Sequence, residues 1–417
     1  MAQNNSQTLH VPLSSRDDQS RWYTSATLPV LALALVAHVL VLLGLYFSPI
    51  YRSDLSTIPA DWERATHIIR SGLLYRDFAF EYPPLAALFY GLPGLFATTS
   101  EAYRPAFAVE MGVVDLATVC LTWLWLKRAN RSALAPLAAQ TIFLAGLGTM
   151  VVLERFDLAP AAMVLASLLL WEVGRWEWAW AMLGLGTGIK LFPAVVAPIL
   201  ALDDIRNRRW RLLVIGVLVF AAAAVLPGLP FFVAAPQGLN QLLAYHGGRG
   251  VQIESLPASF LLIGHVAGQT VTSGFAFGSQ ELSSDWSVWP ARLATPMIAT
   301  ALALVLWRYF RGPMGGARRL RYATAAVLAF MLFNKVLSAQ YVVWLYPLIP
   351  LIVPRRYIVW GIYLVVVALT EYLYPHGWIA LTRLEPDAIA VQVTRNGLLL
   401  ALWVLLLLEG SREEVAG

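Results

Sequence analysis

Asp54 stands just past the first long apolar run of the chain, in the stretch YRSDLS. A carboxylate there is costly against lipid but not in a water-filled cleft, where it could accept a proton from a substrate hydroxyl. An ordinary loop aspartate is the plainer alternative. Further on, YRDFAFEYPP sets Arg76, Asp77, Glu81 and Tyr82 before Pro83 and Pro84. The prolines hold the residue before each of them extended and then start a helix, which fixes the direction of Glu81 and Tyr82. In ERFD, Asp157 falls at a helix start, as an N-cap, a polar wall for a sugar or a metal ligand. Asp54 and Asp157 could flank one divalent ion, although acids so far apart in sequence are a weak metal signal.

Cations complete the set. Lys190 lies in GLGTGIKLFPAVVAP, with glycines before it and a proline after, so the backbone is irregular near membrane depth. Such breaks are tolerated where they line a cavity, and an ammonium there needs an anion. Lys335, in MLFNKVLSAQ, repeats the arrangement. Either lysine alone could snorkel to the interface; two on broken helix ends point to a phosphate site. The stretch YHGGRGVQIES adds His246, Arg249 and Glu254. Glycines on both sides of Arg249 allow close backbone approach, and its guanidinium suits bidentate phosphate binding. His246 could bind phosphate or protonate a leaving oxygen. Glu110, Asp115 and Glu371 read as packing groups, and Asp61 and Glu63 as members of an amphipathic interfacial helix. No Walker-type loop, HExxH or serine elbow is present, which argues against an ATPase, a zincin and a serine hydrolase.

The elements that must position these groups are membrane helices. The chain of 417 residues is 59% hydrophobic and 13% charged, where a soluble domain has about a quarter of its residues charged. Apolar runs at 28–50, 105–126, 133–152, 157–173, 211–232, 290–309, 357–374 and 391–409 read as crossings. The run 177–202 is broken at Lys190 and Pro193, and 321–334 and 341–354 are short. Counted as pairs, these give roughly twelve crossings. The basic links KRANR, RNRRWR, RYFRGPMGGARRLR and Arg355–Arg356 face the cytoplasm only if 85–98 and 256–271 do not cross but lie along the outer interface or re-enter it. Both termini are then cytoplasmic, and the chemistry-bearing residues collect outside. This predicts an all-α polytopic protein with a disordered tail (1–27) and a catalytic membrane module (28–232) whose first outer loop is 51–104. An outer loop with an interfacial helix (233–289) and C-terminal helices (290–417) follow. Cys120 has no partner for an intramolecular disulfide. Nothing suggests a nucleic-acid module.

The ordered series of an acid after the first crossing, an outer amphipathic helix, YRDFAFEYPPL, ERFDL, GIKLFP, YHGGRGVQIES and NKVLSAQYVVWLYPL resembles glycosyltransferase family 87, of the GT-C superfamily of membrane-embedded transferases. That family includes polyprenyl-phosphate-mannose-dependent mannosyltransferases and related arabinosyltransferases. The resemblance runs from about residue 50 to about residue 350. It implies a GT-C fold and inverting transfer of a sugar, mannose by default, from a polyprenyl-phosphate donor to a lipid or glycan hydroxyl at the outer face of the bacterial cytoplasmic membrane. It maps the general base onto Asp54. Lys190, Arg249, Lys335 and His246 become candidates for the donor phosphate, and Arg76, Asp77, Glu81, Tyr82, Asp157, Glu254 and Gln340 for the sugar and acceptor cleft. No cofactor is implied, and metal independence is favoured by analogy. The competing readings are a transporter or flippase of an anionic lipid-linked sugar, for which repeat symmetry and midplane charges are expected, and a GT-C transferase of another branch. After Pro350 no motif matches.

Overall fold

In lipid every backbone N–H and C=O must be satisfied within its own segment, so long apolar runs become helices. A computed structural model describes residues 27–52, 56–70, 72–353 and 355–408. Asp54 and most of the N-terminal tail lie outside the described residues. Helix α1 spans Thr27–Tyr46 and is followed by two short helices, α2 (Ile58–Arg70) and α3 (Ala86–Gly94). At 9 residues, α3 is only about 13 Å long and cannot cross, as expected for this run. Helix α4 (Ser100–Arg128) is the longest. Thr99 caps it by accepting from the amide of Ala102 at 3.2 Å, Glu101 lies in its first turn, and Lys127 and Arg128 lie in its last. Those charges complement the helix dipole.

Helices α5 (Leu134–Leu147), α6 (Leu158–Glu172) and α7 (Trp176–Ile189) follow. At the end of α7 the backbone of Lys190 is extended (φ −152°, ψ 141°), and a 3-10 turn, Phe192–Val196, leads into α8 (Ala197–Arg206). The run 177–202 is therefore one broken segment, because glycines loosen it and Pro193 blocks its continuation. Helix α9 (Trp210–Val225) packs tightly against α7. A Cβ on Gly184 would strike the carbonyl of Phe220, and one on Gly216 the indole of Trp180. Small residues let the two backbones approach where no hydrophobic force separates helix from lipid.

The outer loop carries more than a helix. After α10 (Gly238–Gly248), strand β1 (Val251–Gln252) and α11 (Leu256–Val266), the chain makes a hairpin of β2 (Thr272–Ala276) and β3 (Ser279–Ser283). The antiparallel sheet has the order β1-β3-β2. Ala276 pairs with Ser279 across a two-residue turn in which Phe277 and Gly278 both have positive φ, 47° and 69°. This is the turn that matches the twist of paired strands. The expectation of a purely α-helical chain is corrected to this extent: the loop is too polar to lie flat as one helix and closes its own backbone bonds in a sheet.

The remaining long helices are α12 (Val288–Arg311), α13 (Gly316–Leu332), α14 (Arg356–Glu371) and α15 (Pro386–Leu407). Between α13 and α14 the run expected as a crossing at 341–354 forms 3-10 turns, Ala339–Leu345 and Ile349–Leu351. Against the expected dozen crossings, 6 helices among the described residues are long and apolar enough to span by themselves. Leu134–Leu147, Leu158–Glu172, Leu256–Val266 and Ala339–Leu351 are shorter apolar helices. One large apolar core joins the helices, and a second, built from Val251, Leu261, Leu262, Leu282, Leu373, Leu384 and Ile389, fastens the outer loop to the chain around the start of α15.

Candidate active site

A cleft of about 750 Å³ opens where α6 begins and α7 and α13 end. Its lining brings together Glu81, Tyr82, Lys190, His246, Arg249, Lys335 and Gln340 of the residues singled out by sequence. Arg64, Arg155, Tyr245, Phe277, Tyr341 and Trp344 also line it and were not singled out.

Three local structures hold these groups. Tyr75 sits at φ 68°, and its hydroxyl donates to the carbonyl of Tyr82 at 2.6 Å, bracing the YPP corner. Arg64 of α2 donates to Asp61 at 2.9 Å and to Glu81 at 2.7 Å, joining the interfacial helix to that corner. Asp61 is buried, and burial pushes its carboxyl up to about 6, so it is a structural acid and not a solvated one. Glu154 accepts from the Ser56 hydroxyl at 2.7 Å and the Thr57 amide at 2.8 Å, which anchors the chain just after Asp54.

The cations are not equivalent. Lys190 donates to Asp157 Oδ1 at 2.6 Å, and its Nζ lies 5.4–5.7 Å from the ring centres of Tyr82, Phe156, Tyr341 and Trp344. The Trp344 indole donates to the same oxygen at 2.6 Å. Asp157 has helical dihedrals and makes no capping bond, so the N-cap alternative is not what the structure has. Lys335 Nζ donates to the carbonyls of Gly247 (2.9 Å) and Arg249, leaving one of its three N–H donors for the cleft. Burial pushes its ammonium below the usual range.

His246 Nε2 lies 3.1 Å from the carbonyl of Glu81, which only accepts, so this nitrogen carries the proton. Burial, followed by the charge of Arg249, lowers the imidazole's pKa while the bond to Glu81 raises it, with a net fall. A neutral His246 anchors α10 to the YPP corner and brings no charge to a phosphate. Arg249 uses one amino group on Ser279 Oγ at 2.8 Å, and its Nε is buried without a partner among the described residues.

Arg76, Asp77, Asp157 and Glu254 do not line the cleft. Arg76 and Asp77 pair with one another at 2.8 and 2.9 Å in a turn in which Asp77 also accepts from the Leu73 amide. Asp157 lies behind Lys190. Glu254 is buried beside Arg395 of α15 at 3.5 Å, and its backbone carbonyl accepts from Gln392, Arg395 and Asn396. It therefore supports the loop from beneath. Among the described residues there is no group of three or more metal-binding side chains.

A stack of Phe192, Trp344 and Tyr341, with ring centres 4.1 and 4.0 Å apart, forms one wall. Beside it the lining carries five cations, Arg64, Arg155, Lys190, Arg249 and Lys335, and one acid, Glu81. Such a surface takes an amphipathic anion, charged at one end and flat or apolar at the other.

Helices long and apolar enough to cross a bilayer, with a cationic, aromatic-walled cleft at their ends, define a polytopic membrane protein. The model of glycosyltransferase family 87 matches residues 80–339, and the chain belongs to that family. It is a membrane glycosyltransferase, and membership of the GT-C superfamily is consistent with this. Comparison with curated proteins returns no match.

Proposed function

We propose that the chain moves a sugar, with mannose the first to be tried, from a polyprenyl-phosphate donor to a hydroxyl of a lipid or glycan acceptor at the outer face of the bacterial cytoplasmic membrane. The observation that carries this reading is that two cations, Arg249 and Lys335, have no carboxylate ion-pair partner among the described residues and line a cleft walled by stacked aromatic rings. The donor's phosphate meets the amino donors of Arg249 and the remaining N–H of Lys335. Its sugar lies along the Trp344 stack, and its chain stays in the bilayer.

Asp54 takes the proton of the acceptor hydroxyl. The acceptor oxygen bonds to the anomeric carbon from the side opposite the phosphate as the carbon–oxygen bond to phosphate breaks. The electron pair leaves on polyprenyl phosphate, and configuration inverts. Cations on the leaving phosphate stabilise the charge that develops in this step. Thr57, three residues beyond Asp54, lines the cleft, which supports a base at its edge.

The test is sugar transfer by purified protein from labelled polyprenyl-phosphate sugars to a lipid acceptor extract. Asp54→Asn is expected to lower the rate by about a hundredfold or more, in the range of general-base removal. Glu63→Gln, on the exposed face of α2, should leave it unchanged. Full activity in a folded Asp54→Asn would remove Asp54 from the mechanism.

A further inference from the structure

A second cavity, of about 990 Å³, lies at the opposite ends of the same helices. It is lined where α4 and α6 end and where α13 and α14 begin. The cleft is formed where α6 begins and α13 ends, so the two concavities are separated by the length of the helices they share. Five arginines line it; Arg318 donates to the carbonyls of Arg308, Tyr309 and Pro313, and the other four, Arg128, Arg131, Arg355 and Arg356, come from two chain segments. None of these four has an acidic partner among the described residues. The one acid in the lining, Glu172, is committed to Arg319, which also binds Asp203.

Arginines that merely set topology would spread into solvent and away from each other. Here Arg131 is half-buried, and burial followed by the nearby Arg356 depresses its basicity. Exposed apolar side chains lie three or four residues from three of the four: Leu124 before Arg128, Leu134 after Arg131 at the start of α5, and Ile358 after Arg355. Cations beside exposed hydrocarbon suit a phospholipid at an interface.

We propose that this cavity binds a phosphate ester anion, in the membrane the headgroup of an anionic phospholipid. The site is independent of the sugar-transfer cleft. The test uses full-length, delipidated protein in neutral detergent, with native mass spectrometry of retained phosphatidylglycerol against phosphatidylcholine. Arg131→Gln with Arg356→Gln is expected to weaken phosphatidylglycerol retention about thirtyfold, at the usual contribution of an arginine near an anionic lipid surface. Arg208→Gln with Arg211→Gln, which removes the same charge outside the cavity, should retain it. If the first pair fails to fold, the exposed Arg128 and Arg355 replaced by glutamine give the same reading.

A thermal shift with inorganic phosphate alone, lost in the same variants, would keep the phosphate site and assign it to a soluble ligand. Equal retention of both lipids without any phosphate shift overturns the proposal, and so does an equal loss in the charge-matched control.

Discussion

Lys190 is held by one carboxylate and four aromatic faces, and this limits what it can do for a substrate. A buried pair of this kind is costly to break from one side, because the remaining charge has neither water nor partner. Asp157→Asn and Lys190→Met are each expected to destabilise the protein by about 3 kcal/mol, while the double variant recovers most of the loss. Detergent melts of the three variants check this; a double variant as unstable as the sum of the singles would mean that the two groups are not coupled. Both residues stood out in the sequence, but only as separate candidates. They are 33 positions apart, and no spacing rule pairs them. Arg64 escaped notice because an arginine on an amphipathic helix ordinarily faces water. Its place three residues after Asp61 was the available signal.

At the scale of elements, α15 governs the outer loop. Its Gln392, Arg395 and Asn396 share one face and bond the backbone carbonyl of Glu254, and Asn396 also reaches the Ser255 carbonyl at 3.0 Å and Ser259 Oγ at 2.9 Å. Burial pushes the Glu254 carboxyl up to about 7, against the opposing pull of Arg395. The folded state thus holds this proton more tightly than the unfolded chain, whose glutamates titrate near about 4.3. The resulting stabilisation is complete below that value and is lost as pH rises through about 7. Melting temperature should fall between about pH 5 and pH 8, and Glu254→Gln should flatten the fall; an unchanged slope in that variant would assign the titration to another group. The broken helix at Lys190 was legible because glycine and proline mark it. The hairpin was not, since TSGFAFGSQELS alternates weakly and Phe277 is an unusual residue at positive φ. The support from α15 carried a signal that went unused: an arginine and an asparagine within an apolar helix face inward and need partners.

For the whole molecule, charge parity in the sequence separated a basic end from the end with the chemistry, and the two cavities lie at those two ends. The number of crossings was less legible, because an apolar run such as 341–354 reads the same whether it forms an α-helix or 3-10 turns buried among neighbours. The proposed outward orientation of the cleft is open to a direct test in a Cys120→Ser background. A membrane-impermeant maleimide added to intact cells should label Asp285→Cys, just past the hairpin, and leave Ala317→Cys unlabelled until the membrane is opened. Labelling in the reverse order would turn the molecule over.

Helix α4, at 29 residues, is about 43 Å long, against a hydrocarbon core of about 30 Å. Its last turn is pinned by Lys127 and Arg128, so the excess emerges at the other end. There Tyr103 meets Trp62 of α2, and Arg104 reaches the carbonyl of Tyr51 and, at 3.7 Å, Glu154. The height of the cleft above the acyl chains is therefore set by how far this helix tilts. A thicker bilayer would stand it upright and a thinner one would tilt it further, changing its angle to the rest of the cleft. On the proposed reading, this one overlong helix ties the thickness of the membrane to the approach of the donor.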